Sequence, residues 1–299
     1  MLFCLMRNMG WVFRVSPGPW RPLVLLVLLS CRAASAQAEH GSLIIGMETK
    51  DKVVVAADSR TVNMFKPQQI LDERCKVLVF GNRLVFANAG YPVFKPPHLP
   101  DAAAGPYWDS YESARNSAEL LLSRKKAVTP RQLAEAWMSD MKKRILLVKP
   151  GPSWGRLKQL PIAAFFAGLG SNGAPSLVRA TMVVHYAGNS FIVKDPLISE
   201  IKFDNDVGVA VDAFGARDIC TEILFRTTER GRRWANRIEV ESAVIAPEDR
   251  MAFRLKRLGE LSVESSEDKA DIGLPFDVVE LSKDGVRWVY AKKGCQKSQ

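Results

Sequence analysis

Short apolar blocks alternate with polar breaks along most of the chain. Ser42 to Glu48 and Val53 to Ala57 are two apolar runs separated by Thr49-Lys50-Asp51-Lys52. The second is rich in β-branched residues, so the pair predicts a hairpin. It ends on Asp58-Ser59-Arg60 and gives way to a polar stretch, Thr61 to Arg74. Cys75 to Phe80 and Leu84 to Ala89 form a second predicted hairpin around Gly81-Asn82-Arg83. Residues 92–107, rich in proline and glycine, read as a loop. The period then changes. Ala114, Ala118, Leu121 and Leu122 recur at helical spacing within Tyr111 to Lys126, and Thr129-Pro130 signals the start of a second helix running to Leu146. Strands are predicted at Ile162 to Ala167, Val178 to Tyr186, Phe191 to Val193 and Asp206 to Asp212. Helices are predicted near Gly215 to Arg230 and Pro247 to Leu261. A closing hairpin joins Phe276 to Leu281 and Val286 to Ala291 through Lys283-Asp284-Gly285.

Strand runs and helix runs are segregated along the chain, which argues against a doubly wound parallel sheet. The order fits an α+β fold of two antiparallel sheets packed face to face, with a helix pair outside each. Gly168-Leu169-Gly170-Ser171-Asn172-Gly173 matches a dinucleotide-binding GxGxxG. The following segment is β-rich where that fingerprint needs a helix, so it reads as a turn between strands.

Composition narrows the function classes. The 299 residues are 47% hydrophobic and 25% charged, an ordinary globular balance. Net charge is +10, and four of the arginines behind it fall in residues 1–36, which hold no acid. The densest basic run, Arg226, Arg230, Arg232, Arg233 and Arg237, has no accompanying stacking signature, so it reads as a solvated face with no nucleic-acid partner. Arg14 and Arg21, the apolar run Leu23 to Leu29, and Ala34-Ser35-Ala36 follow the order of an export signal. The apolar run is too short to span a membrane. Cleavage after Ala36 is the first reading of this segment. Leu28-Leu29-Ser30-Cys31, which loosely matches a lipoprotein box with the lipid on Cys31, is the second. Past residue 36 the cysteines are Cys75, Cys220 and Cys295, an odd number without metal-ligand spacing, and the three histidines are scattered. This usage fits export without a disulfide scaffold. No cofactor or metal is expected.

One constellation carries chemistry. Gly41-Ser42 opens the first run, Ala56-Ala57-Asp58-Ser59-Arg60 closes the second, Lys76 opens the third, and Ala89-Gly90 ends the fourth. In order and spacing, allowing two extra residues between Arg60 and Lys76, these resemble the catalytic β-subunits of the proteasome core particle, an N-terminal-nucleophile (Ntn) hydrolase family. Serine stands here where that family has threonine. The resemblance is close over about fifty residues, and the order of elements extends it to the last hairpin. It implies a four-layer αββα sandwich. Together with the export signal read at 1–36, it implies a short propeptide at 37–41 and an Ntn-hydrolase domain at 42–299.

The roles follow the same resemblance. Ser42 is the nucleophile, and its own α-amine, freed by cleavage after Gly41, is the base. The reference pKa of such an amine, about 7.7–8.0, suits work near neutral pH. Lys76 activates the hydroxyl electrostatically, Asp58 holds Lys76, and Gly90 donates to the oxyanion. Thr61, Arg74 and Asn88 surround the pocket for the residue before the scissile bond. The implied activity is that of an exported or periplasmic amide-bond hydrolase acting on peptides, with assembly into a homo-oligomeric ring. A second class stays open: a non-catalytic scaffold or binding subunit on the same fold. The family's supporting Ser–Asp–Ser cluster has no counterpart at Ala216, Lys269 and Ile272, although Asp268 and Asp271 stand nearby.

Overall fold

A computed structural model describes residues 37–40, 42–63, 66–71, 75–95, 107–125, 127–149, 159–201, 209–215, 218–265 and 272–295. The expected signal at 1–36, with Cys31, lies outside the described residues, as do Gly41, Arg74, Ala216, Asp268, Lys269 and Asp271. The chain is mixed α and β, with two large antiparallel sheets and five helices among the described residues, and is compatible with a sandwich.

The first large sheet runs β13 (Ala210–Gly215), β2 (Leu43–Glu48), β3 (Lys52–Ala57), β14 (Asp277–Ser282), β15 (Gly285–Tyr290). The second runs β12 (Ser190–Glu200), β11 (Pro175–Ala187), β10 (Gln159–Leu169), β7 (Leu84–Gly90), β6 (Val77–Phe80). Strand alternation splits the apolar runs between two faces. Ile44, Val53, Val55, Ala57, Val77, Val85, Ala87 and Phe165 meet in a layer between the sheets. Leu43, Ile45, Val54 and Ala56 face the other way, onto Ile238, Leu255 and Leu258. Leu84, Phe86 and Phe166 face Tyr111, Trp137 and Met141. Burial on both faces explains why these strands are apolar throughout instead of alternating.

The helices are α1 (Ser110–Arg124), α2 (Pro130–Leu147), α3 (Asp218–Phe225), α4 (Glu229–Ala243) and α5 (Arg250–Ser265). Thr129 caps α2 as its sequence signals: its hydroxyl accepts from Gln132 N–H, the Gln132 side chain answers, and Pro130 sits in the first turn. The single helix expected near Gly215 to Arg230 is instead a strand end and two helices. Arg226 adopts a left-handed φ of 50°, and Thr228 caps a new helix. The highly charged α4 has a thin apolar stripe, so its hydrophobic signal is weak. Three arginines of the basic run are matched locally: Arg226, just before the helix, pairs with Glu239, and Arg230 and Arg237 of the helix pair with Glu222 and Glu241.

A third sheet of short strands was not evident in the sequence: β5 (Lys66–Leu71), β4 (Thr61–Asn63), β1 (Gln37–His40), β8 (Val93–Lys95), β9 (Trp108–Asp109). It draws on the stretch read as merely polar, on the start of the stretch read as loop, and on the two residues just after that stretch. The GxGxxG segment forms the turn between β10 and β11, with no helix after it. The cysteines also correct the reading. Cys75 and Cys295 form a disulfide across 220 residues, and Cys220 remains free and buried.

Candidate active site

Ser42 immediately precedes β2, a strand flanked on both sides in its sheet. β13 ends beside it at Gly215, whose φ is +94°. A Cβ there would lie 1.6 Å from the Ser42 carbonyl oxygen, so only glycine fits. Asp58 follows β3, the hairpin partner of β2. Lys76 comes from the other large sheet, one residue before β6. Two sheets therefore bring the three groups together.

The contacts are specific. Lys76 Nζ donates to Ser42 Oγ at 2.8 Å and to Asp58 Oδ1 at 2.8 Å, and also to the Arg60 carbonyl. Three acceptors match the three N–H donors of an ammonium. Asp58 Oδ1 also accepts from Leu43 N–H at 2.9 Å, while Oδ2 accepts from Arg60 N–H at 3.0 Å and Gly273 N–H at 3.1 Å. These bonds fix the carboxylate between the start of β2 and the residues leading to β14. Ser42, Asp58 and Lys76 are 2%, 0% and 1% exposed. Removing one partner of such a buried pair typically costs about 3–5 kcal/mol.

This arrangement can lower the cost of forming an alkoxide. The Ser42 oxygen already accepts from a cation, so negative charge on that atom meets a fixed ammonium in a dry site. Asp58 compensates the ammonium and orients it. Ser59, next in the chain, turns away: its hydroxyl donates to the Pro275 carbonyl and its N–H to the Gly273 carbonyl. Strand alternation accounts for this division.

The other expected site residues divide. Gly90 ends β7 with a φ of +90°, where a Cβ would lie 2.1 Å from the Pro161 carbonyl oxygen. Its backbone is thus fixed in the sheet that carries Lys76. Asn88 is one residue past the last β6–β7 ladder pair, Val77 with Ala87, and so lies opposite Lys76. Thr61 follows Arg60, whose carbonyl binds Lys76. Thr61 Oγ1 and both polar atoms of the Asn88 carboxamide are buried without a hydrogen-bond partner among the described residues. Buried polar groups are nearly always satisfied, so these groups are suited to bind a ligand.

Sequence reasoning missed several supporting groups. The Arg60 carbonyl and the Gly273 N–H are backbone atoms and leave no mark on residue identity. Gly215 had a visible signal, a glycine ending an apolar run, but nothing in the sequence connected it to Ser42. Asp277 pairs in register with Ala57, beside Asp58, and receives the Lys292 N–H at 2.8 Å. Burial holds its carboxyl above the usual range. Lys292 opposes this, and the charge of Asp58 reinforces it.

Comparison with models of known protein families and with curated proteins returned no match for this chain.

Proposed function

We propose that the protein is an N-terminal-nucleophile amide-bond hydrolase of proteasome-like αββα architecture, exported and activated by cleavage between Gly41 and Ser42. The Ser42–Lys76–Asp58 contact network carries this reading. A buried lysine that donates to a serine hydroxyl and to a carboxylate, at the start of a central strand, has a direct use in acyl transfer. A scaffold would gain little from burying an ion pair against a hydroxyl, since an apolar set of the same volume is often as stable.

In the mature enzyme, the α-amine of Ser42 takes the hydroxyl proton, and Oγ attacks the substrate carbonyl. Lys76 stabilises the forming charge, and Gly90 N–H is the assigned oxyanion donor. The C–N bond of the intermediate then breaks as the α-ammonium returns the proton to the departing amine, and the freed α-amine activates a water that hydrolyses the acyl–serine ester and restores the hydroxyl. In the precursor that nitrogen is an amide and is not basic, so water serves as base while Ser42 Oγ attacks the Gly41 carbonyl. The Gly41–Ser42 C–N bond breaks as the nitrogen takes up the proton, and water hydrolyses the resulting ester to free the α-amine. Residues 37–40 form a strand between β4 and β8, antiparallel to both. An extended peptide is therefore the substrate class this region suits.

Intact mass and N-terminal sequencing of the secreted protein test the proposal. The expected mature N-terminus is Ser42, with Ser42→Ala retaining the residues before it. An active protein beginning at Gln37, or lipidated at Cys31, would refute the mechanism. An inactive protein with either N-terminus would favour a scaffold.

A further inference from the structure

Lys76 sits beside a sheet edge. It precedes β6, a four-residue edge strand that, among the described residues, pairs with β7 alone. Its ammonium must nevertheless reach two groups that belong to the other large sheet. Two cross-sheet attachments bracket β6. At its far end, the Asn82 side chain of the β6–β7 turn accepts the Val286 N–H at 3.0 Å, and Gly285 has no Cβ there because the atom would meet Asn82. At its near end is the Cys75–Cys295 disulfide, directly adjacent to Lys76.

The partner cysteine is also held. Cys295 is buried, and its N–H donates to the Lys292 carbonyl at 3.1 Å. Lys292 docks on Asp277 through its N–H at 2.8 Å and its ammonium at 3.4 Å. Asp277 lies opposite Ala57, the neighbour of Asp58. A continuous path thus runs from the Asp58 strand through Asp277, Lys292 and Cys295 to Cys75 and Lys76.

Building on the catalytic reading of Ser42 and Lys76, we propose that Cys75, Cys295, Asp277 and Lys292 form a positioning clamp for Lys76, which makes the catalytic centre dependent on a closed disulfide. Opening it is a thiol–disulfide exchange. An external dithiol attacks one sulfur and then closes on itself, delivering two electrons and two protons to the cysteine pair. Re-closure needs a disulfide oxidant that accepts the same electrons. Self-cleavage and turnover are then confined to chain that has met oxidising conditions. Cys220 takes no part: burial, with the charge of Asp212, pushes its thiol up to about 12.

The test uses the full-length protein. Oxidised wild type is compared with protein treated with dithiothreitol, and with dithiothreitol-treated protein re-oxidised by glutathione disulfide. Turnover of a peptide amide, intact mass and far-UV circular dichroism are measured on each. Reduction is expected to lower kcat at least tenfold with KM within twofold and the dichroism unchanged, and re-oxidation to restore kcat. Cys220→Ala should behave as wild type throughout. Lys292→Met, with its disulfide still closed by mass, should also lower kcat without moving KM. It tests the non-covalent half independently of reduction. The clamp is overturned if reduced protein keeps wild-type kcat, or if kcat falls only together with the dichroism, as it would for a merely stabilising bridge. Failure of the oxidised wild type to process itself and to turn over substrate overturns the catalytic reading itself.

Discussion

The ammonium of Lys76 lies 2.8 Å from the hydroxyl oxygen of Ser42, although the two residues belong to different sheets. A contact that spans a sheet interface depends on the packing of both sheets, and it can be tested one partner at a time.

Ser42→Ala and Lys76→Ala should each reduce peptide-amide turnover by about 10³-fold or more, a loss typical of removing a member of a catalytic unit. Ser59→Ala should keep most of the activity, since that hydroxyl serves the Pro275 carbonyl. Steady-state kinetics on the purified variants decide. Wild-type turnover by Ser42→Ala would discard the nucleophile.

Asp58 is bound by four donors, so Asp58→Asn cannot keep the set: its NH₂ would face an N–H or the lysine. We expect loss of activity together with a destabilisation of about 3–5 kcal/mol, measured by denaturant unfolding. Full stability would show that the buried pair contributes nothing.

Among the described residues, the Thr61 hydroxyl and the Asn88 carboxamide, which lies opposite Lys76, are buried without a hydrogen-bond partner. A substrate with a polar or acidic residue before the scissile bond should be cleaved faster than one with leucine or phenylalanine there. Asn88→Leu should reverse the order. A peptide library supplies both measurements, and a wild-type preference for leucine or phenylalanine over glutamate sinks the assignment.

Glu48 ends β2 with a carboxylate oxygen that accepts the Leu177 N–H at 2.8 Å. Burial pushes its pKa up to about 7, with a contribution from Glu200. The folded state therefore binds a proton that the unfolded chain has released, and stability falls as pH rises from about 4.5 to about 7. Glu48→Gln should stabilise the protein by about 1–3 kcal/mol at pH 8 and by almost nothing at pH 4. Thermal unfolding at the two pH values tests the sign.

Gly215→Ala should cost about 2–4 kcal/mol, because the new methyl group must displace the Ser42 carbonyl or relax an unfavourable φ. Unlike a surface glycine change, it should lower activity and stability together.

The buried strands β2, β3, β6, β7 and β14 and the capped helix α2 were legible because doubly buried strands and capping boxes leave strong residue patterns. By contrast, β12 runs from Ser190 to Glu200, beyond the expected Phe191 to Val193, because its largely exposed residues carry little apolar signal, and β13 lies at Ala210–Gly215 instead of Asp206 to Asp212. The segment at Glu229 to Ala243 was not, because its apolar positions are few among arginines and glutamates. Strands of the third sheet were also hidden: Lys66 to Leu71 and Val93 to Lys95 are short, polar or proline-flanked. Ser42, Asp58 and Lys76 were readable as a spacing. The groups that hold them are backbone atoms, a glycine and a cysteine pair distant in sequence. Their meaning depends on which chain segments become neighbours.

The strand Gln37–His40 lies inside its sheet, not at its border. If maturation removes it, β4 and β8 each acquire a bare edge, about 10 Å from one another at the usual strand spacing. Bare edges recruit other chains and favour aggregation. While residues 37–40 stay in place, neither edge is open.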